Sequence, residues 1–274
     1  MVSRDNPFGK ELKLILASTK DTAAKNIAAR LRELYDFEEV QGQPSLYFYK
    51  NLLLAMAGNE MTEITALSQR ADEVIVASRH ASESGRPTLT VHVPGEPSKR
   101  ELAIASPPTL KSALRELIVA RDELHLPYEV SLEATHHGPT GLAVPVTFVE
   151  IGSSPIQWRD KKAAEAVAHA IMAAATSPLK GRQAIGLGGH HYAPRHTQVV
   201  LRTDVCIGHV LPRYVVIDEG LIKHALARTS GGVEMLALDW KGLDSCRRQL
   251  LQQIAAKLGL QVVRESELLR QAKI

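Results

Sequence analysis

Cysteine is scarce in this chain: Cys206 and Cys246 are the two in 274 residues, far apart and outside any CxxC spacing. A disulfide framework is thereby excluded, and a reducing compartment is the expected setting. Aromatic residues are few as well, with two Trp, six Tyr and four Phe. That is too sparse for the stacking platforms of common RNA-binding modules, and no RNP-like or KH-like stretch is present. There is no apolar run of the roughly eighteen residues that a membrane span needs. Residues 1–10 are polar and carry Pro7 and Gly9, so they lack the apolar core of a signal peptide. The expectation is a cytoplasmic protein with a loose extension over 1–11 and a single α/β domain over 12–274. Charge of one sign is lacking too: 33 basic against 30 acidic residues leave +3. Bulk charge therefore gives no nucleic-acid signature, and an RNA surface would have to come from local clustering.

Several catalytic signatures are missing. Neither GxSxG, the P-loop pattern nor HExxH occurs, which removes the nucleophile-elbow hydrolases, the P-loop nucleotide enzymes and the zincin peptidases. Gly186-Leu187-Gly188-Gly189-His190-His191 begins like a dinucleotide fingerprint. His191, however, occupies the third glycine position, where close helix–strand packing leaves no room for a side chain.

The 45% hydrophobic content is that of a folded globular protein, and its pattern is α/β. Short apolar runs at Leu12–Ala17, Leu46–Tyr49, Leu52–Ala55, Glu73–Ala77, Thr88–Val93, Tyr128–Ala134, Val144–Ile151, Gln183–Leu187, Val205–Val210 and Val233–Leu238 read as strands. Lys50-Asn51 fits a tight turn between two of them. Helical spacing follows Asp21 and Pro107-Pro108 and fills Lys161–Ala174, Asp218–Arg228 and Leu243–Leu258. Strands alternating with helices predict a three-layer αβα architecture around a mixed, largely parallel sheet.

What the chain has in concentration is histidine. Of its 11 histidines, His80, His92, His136, His137, His190, His191 and His196 fall in the segments 78–92, 133–140 and 188–196. Each segment touches a predicted strand end, where open α/β sheets build their sites. Ser78-Arg79-His80 pairs a titrating group with a guanidinium fork suited to a phosphate or carboxylate. On an extended strand Glu133, Thr135 and His137 share one face and His136 the other. A carboxylate beside an imidazole tunes it, fixes its tautomer or shares a metal. Gly188 and Gly189 offer backbone N–H groups to an oxyanion, with Tyr192 and Arg195 beside them. His80, Glu133, His137 and His191 are thus the candidate catalytic residues, and Arg79, Thr135, Gly188, Gly189, Tyr192 and Arg195 the candidate substrate contacts. His80, His136, His137 and His191 are the candidate metal ligands, although no local spacing is diagnostic of zinc.

Residues 14–21, Ser78-Arg79-His80 with Thr88–His92, Glu133–Pro139, Gly188–Arg195 and Asp239-Trp240-Lys241-Gly242 together resemble the archaeal and plant type of D-aminoacyl-tRNA deacylase. The resemblance runs from Leu12 to about Arg270, with His190 standing where a third glycine is expected. It implies hydrolysis of the ester between a D-amino acid and the terminal ribose of tRNA. It also implies zinc as cofactor, a monomer without an obligate protein partner, and a peptidyl-tRNA hydrolase/phosphorylase-like core. The competing readings are a zinc-dependent amidohydrolase or peptidase, which would cleave amides without tRNA, and a non-catalytic RNA-binding protein.

Overall fold

The computed structural model describes residues 11–272. All but Glu11 of the extension expected over 1–11 therefore lies outside the described residues. In chain order the first part comprises β1 (Lys13–Ser18), α1 (Thr22–Leu34), β2 (Glu38–Glu39), β3 (Leu46–Tyr49), β4 (Leu52–Ala57), β5 (Glu73–Ala81), β6 (Thr88–His92), β7 (Gly95–Glu96) and β8 (Glu101–Leu102). Next come α2 (Pro107–Glu123), β9 (Glu129–Leu132), β10 (Val146–Ser153), α3 (Pro155–Trp158) and α4 (Lys161–Thr176). The last part holds β11 (Gln183–Leu187), α5 (Pro194–Arg202), β12 (Cys206–Leu211), α6 (Glu219–Ala227), β13 (Met235–Leu238), α7 (Ser245–Leu258), β14 (Gln261–Arg264) and α8 (Glu265–Gln271).

The α/β class expected from the sequence is what the chain adopts, with its strands divided between two main sheets. The larger has the order β2-β3-β4-β1-β5-β10-β6-β9, and the smaller, β12-β11-β13-β14. Every pairing in the smaller sheet is parallel. The larger is mixed: β4, β1, β5 and β10 run together, whereas β6 lies antiparallel to β10. Lys50, at φ 55°, makes the tight turn between β3 and β4.

Side-chain alternation explains how the smaller sheet joins the rest. Ile185, Leu187, Leu236 and Leu238 face an apolar cluster with α6 and α7. Their neighbours Ala184, Met235 and Ala237 face the main core, which also takes in α1, α2, α4 and both sheets. The period of two thus lets one sheet pack on both faces. Lys111 of α2 reinforces the junction, donating from Nζ to the carbonyls of Thr203 and Val205 at 2.6 and 3.1 Å.

Helix starts follow the acid caps in the sequence. Asp21, Asp160, Asp218 and Asp244 each accept a backbone N–H in the first turn of α1, α4, α6 and α7. One helix escapes the sequence reading. That helix, α5 (Pro194–Arg202), starts right after the glycine-rich segment that carries His190 and His191, and the short α3 and α8 were likewise not among the helices expected.

At the start of the core, Lys13 Nζ lies 2.8 Å from Glu73 Oε2, with both side chains almost fully buried. Removing one partner strands a buried charge, which is more costly than never having had the pair. Lys13→Ala is expected to lower unfolding free energy by about 3 kcal/mol. Lys13→Met with Glu73→Leu should restore most of that stability, and urea denaturation of the two variants makes the comparison.

Candidate functional site

Histidines and carboxylates converge on one face of the larger sheet. Strand periodicity places Ser78 and His80 of β5, Phe148, Glu150 and Gly152 of β10, and Thr90 and His92 of β6 on a common face. The register sets His80 opposite Gly152, Ser78 opposite Glu150, and His92 opposite Phe148. Gly152 is needed here because a Cβ would come within 2.8 Å of His80 Cδ2. Glu133, one residue beyond β9, enters from the sheet edge and pairs with Tyr192 in the loop after β11.

Beyond Glu133 the chain leaves the extended conformation that the sequence reading assumed. His137 takes φ 41°, in the left-handed region, and Gly95 N donates to the carbonyl oxygens of both His136 and His137. Gly138 closes the turn, since a Cβ there would lie 2.5 Å from Thr62 O. The turn puts His136 on the same side as Glu133, with Nε2 3.8 Å from Oε2. Thr135 points the other way: its Oγ1 lies 3.4 Å from His209 Nδ1 and accepts from Val210 N. The expected shared face of Glu133, Thr135 and His137 is therefore corrected, and Thr135 is a structural group of the sheet junction.

Glu133 sits at the centre, its side chain fully buried. Its Oε1 is 3.1 Å from His80 Nδ1 and 3.7 Å from His191 Nε2. Its Oε2 is 3.3 Å from His92 Nδ1. Glu150 Oε2 lies 3.8 and 3.7 Å from the same His80 and His92 atoms. Burial works to raise the Glu133 pKa, but the His191 and His92 imidazoles outweigh it and hold the carboxyl well below its usual range. Glu150 is pushed well above its range, first by burial and then by the neighbouring Glu133 charge. The two shifts run in opposite directions, so a proton shared by the pair favours Glu150 over Glu133.

Three of the imidazoles around this carboxyl, those of His80, His136 and His137, are held below the usual histidine range. Burial, against the pull of Glu133, lowers His80. Burial and the neighbouring histidines take His136 to about 2 and His137 to about 4. His136 Nδ1 lies 2.8 Å from Ala134 O, and His137 Nδ1 2.6 Å from Gly138 O. In a neutral ring each Nδ1 is then the donor, which leaves the Nε2 lone pair free. Both nitrogens of His92 and both oxygens of Glu133 have no hydrogen-bond partner. His80 Nε2 lies 2.8 Å from Tyr192 Oη, and Trp158 Nε1 donates to His80 O.

Above this layer opens a cleft of about 500 Å³, lined by Asp21, Ser78, Arg79, His80, His136, His137, Glu150 and His191 together with Met61 and Thr62. Of the residues expected from the sequence, His80, Glu133, His136, His137, His191, Tyr192 and Arg79 come together here. Besides Thr135, four others do not. Gly188 N donates to Leu211 O, and Gly188 and Gly189 pack against Asp239. Arg195 is exposed at the start of α5. His196 is buried beneath Gly186, close to Ala237 O and Glu265. Two members were missed. His92 fell within the histidine clustering but not among the candidate ligands. Glu150 lay unnoticed in an apolar strand, where a lone carboxylate was the signal.

Known proteins are similar to this chain along most of its length. The family model described as D-aminoacyl-tRNA deacylase matches residues 67–263. A D-aminoacyl-tRNA deacylase of Pyrococcus furiosus is 36% identical over 273 residues, covering 93% of this chain and 100% of its own. One from Methanosarcina mazei is 35% identical over 279 residues, covering 93% and 92%. The crystal structure of a conserved protein of unknown function superposes with a TM-score of 0.87 at 30% identity, covering 95% of this chain and 97% of that one.

The buried neutral imidazoles make stability depend on pH. Their folded pKa values lie below the unfolded value of 6.5, so below 6.5 the unfolded chain binds more protons and stability is lost as the pH is lowered. In chelator-treated protein each such imidazole contributes a slope of about 1.4 kcal/mol per pH unit. His136→Asn is expected to flatten the dependence by that amount between about pH 6 and 4.5, read from urea unfolding at the two values. An unchanged slope would show that His136 is not held neutral by its surroundings.

Proposed function

This chain belongs to the D-aminoacyl-tRNA deacylase family, and on that premise we propose that it hydrolyses the ester joining a D-amino acid to the terminal ribose of tRNA, with the histidine–carboxylate layer as the chemical machinery. The observation that carries the reading is the buried Glu133 carboxylate, ringed by His80, His92, His136 and His191 at the floor of an open cleft. Such a charge lacks a formal counter-ion, and low-dielectric surroundings make that costly. A cation is the natural complement.

The donor set fits zinc. His92, His136 and His137 offer ring nitrogens within 4.8 Å of one another, and His80, Glu133 and His191 form a second group of two ring nitrogens and a carboxylate oxygen at the same spacing. We assign the all-imidazole group as the zinc site, which brings in His92 and moves His80 and His191 to other duties. A zinc ion held there supplies Lewis acidity at a position left open by three protein ligands. His191, the most accessible imidazole, takes the proton from the attacking water, and Glu133 at 3.7 Å stabilises the imidazolium that results. The water adds to the ester carbonyl, the carbon–oxygen bond breaks, and the ribose oxygen leaves with a proton returned from His191. Tyr192 and Glu133 hold His80 between them at 2.8 and 3.1 Å, which fixes that wall of the cleft.

A protein nucleophile has no part in this scheme. Cys206 is buried against Leu179 O, and the hydroxyl of Ser78 faces Asp21. An ester with a ribose leaving group does not require one. The site is assembled from one chain, which supports action as a monomer. One hydrophobic cluster spans both sheets, which supports a single domain over 12–274. Among the described residues no helix is long and apolar enough to cross a membrane. A tRNA substrate supports a cytoplasmic setting.

Release of D-tyrosine from D-Tyr-tRNA, with L-Tyr-tRNA alongside, tests the reaction. Cleavage should favour the D-ester, stop after chelation and return with zinc. Elemental analysis should find about one zinc per chain, lost in His92→Ala. Glu133→Gln should lower kcat on the order of 100-fold with little change in KM. Full cleavage after complete zinc removal would discard the metal assignment and keep the esterase.

A further inference from the structure

The cleft holds an aminoacyl group but not the RNA that carries it, so the tRNA body must lie on the surface beside the mouth. Resting on the deacylase reading, we infer that this surface is the edge formed by the start of α1 and the turn from α3 into α4, with Lys20, Lys25, Arg159, Lys161 and Lys162 contacting phosphates near the 3′ end.

Local hydrogen bonding builds the edge as one unit. Asn26 of α1 donates through Nδ2 to the carbonyls of Trp158 and Asp160, at 3.2 and 3.0 Å. Asp21, the cap of α1, accepts from Arg79 N at 2.8 Å. The first turn of α1, the α3–α4 turn and the cleft wall are thereby locked together. Lys20, Lys25, Arg159, Lys161 and Lys162 are all exposed on it. Among the described residues none of them has a carboxylate within 4 Å, although such pairs are common elsewhere on this surface. The acids of the edge are otherwise engaged: Asp21 and Asp160 cap helices, and Asp160 also accepts from Tyr128. Glu60 stands 3.6 Å from Arg79. Lysines left unpaired in a group repel one another, and a polyanion relieves that repulsion.

Arg79 joins the edge to the cleft. Its guanidinium lies 5.7 Å from the Trp158 ring centroid, and Arg79 also lines the cavity. A phosphate chain following the lysines would meet Arg79 last, before the aminoacyl ester reaches His191. The opposite rim offers less. There Arg247 donates to Arg213 O and pairs with Asp244. The Trp240 ring is already stacked by Arg264 and Arg248, at 3.9 and 4.8 Å.

The test compares D-Tyr-tRNA with D-tyrosyl-adenosine, which carries the same ester without the RNA body. Lys161→Glu with Lys162→Glu, and separately Lys20→Glu with Lys25→Glu, should each raise KM for D-Tyr-tRNA about tenfold and flatten its salt dependence. Their kcat/KM for D-tyrosyl-adenosine should change less than about twofold, and Lys→Gln versions should show the intermediate loss of removed rather than reversed charge. Arg213→Glu with Lys241→Glu, on the other rim, should leave the tRNA KM near wild type. An unmoved tRNA KM in the α1 and α4 variants, or a loss confined to the Arg213 and Lys241 pair, overturns the surface while normal D-tyrosyl-adenosine cleavage keeps the enzyme reading. Wild-type protein that cleaves neither substrate overturns both.

Discussion

The arrangement turns on one constraint: Glu133 carries a negative charge in a place that water does not reach. An isolated buried carboxylate would take up a proton. Here the His191 and His92 imidazoles hold its pKa well below the usual range against the cost of burial, while burial and the Glu133 charge push Glu150 well above it. The two carboxyls thus divide one charge unevenly, as close acidic pairs must. Everything nearby is arranged to that end. Carbonyls of Ala134 and Gly138 set the His136 and His137 tautomers, and Tyr192 steadies His80. Removing the carboxylate would leave imidazole rings with little reason to converge.

The fold supplies this site by leaving a sheet face free. Helices α1 and α4 pack behind β5 and β10, so the opposite face of these strands is open to polar residues. Alternation then presents Ser78 and His80, Glu150 and Gly152, and Thr90 and His92 to that face. The smaller sheet contributes the remaining wall, because the loop after β11 pairs Tyr192 with Glu133 across the junction. The site therefore depends on how the two sheets dock, and groups that look incidental serve that docking. Thr135, read from the sequence as a substrate contact, bonds His209 and Val210 across the same junction.

Much of this was legible in the residues. The strands and helices near the site follow from apolar spacing, and histidine clustering located three of its walls. The errors share a physical cause, the extrapolation of local regularity past its end. Glu133, Thr135 and His137 share a face only on an extended strand, and the left-handed turn at His137 cancels that rule. Gly188 and Gly189 were expected to face an oxyanion, but their positive φ values, 95° and 82°, serve close packing on Asp239 instead. Glu150 went unremarked because its neighbours are apolar. Its partner Glu133 lies 17 positions earlier in the sequence, and no local pattern announces a pairing made by sheet register.

Size and charge together constrain how a macromolecular substrate meets this site. A volume of about 500 Å³ suits an amino acid and part of a nucleoside. A duplex stem does not fit such a space, so only a single-stranded end presents its ester to His191. On the cleft floor burial disfavours charge on His80, His136, His137 and Glu150, and Glu133 is held toward its anionic form. Attraction for RNA must therefore come from outside the cleft, and the net charge of +3 is too small to supply it without clustering. Chemistry and RNA binding are thus separated in space: a histidine–carboxylate layer that handles the ester, and cations at the mouth that handle phosphate. That separation also explains why composition alone carried no sign of a nucleic-acid enzyme.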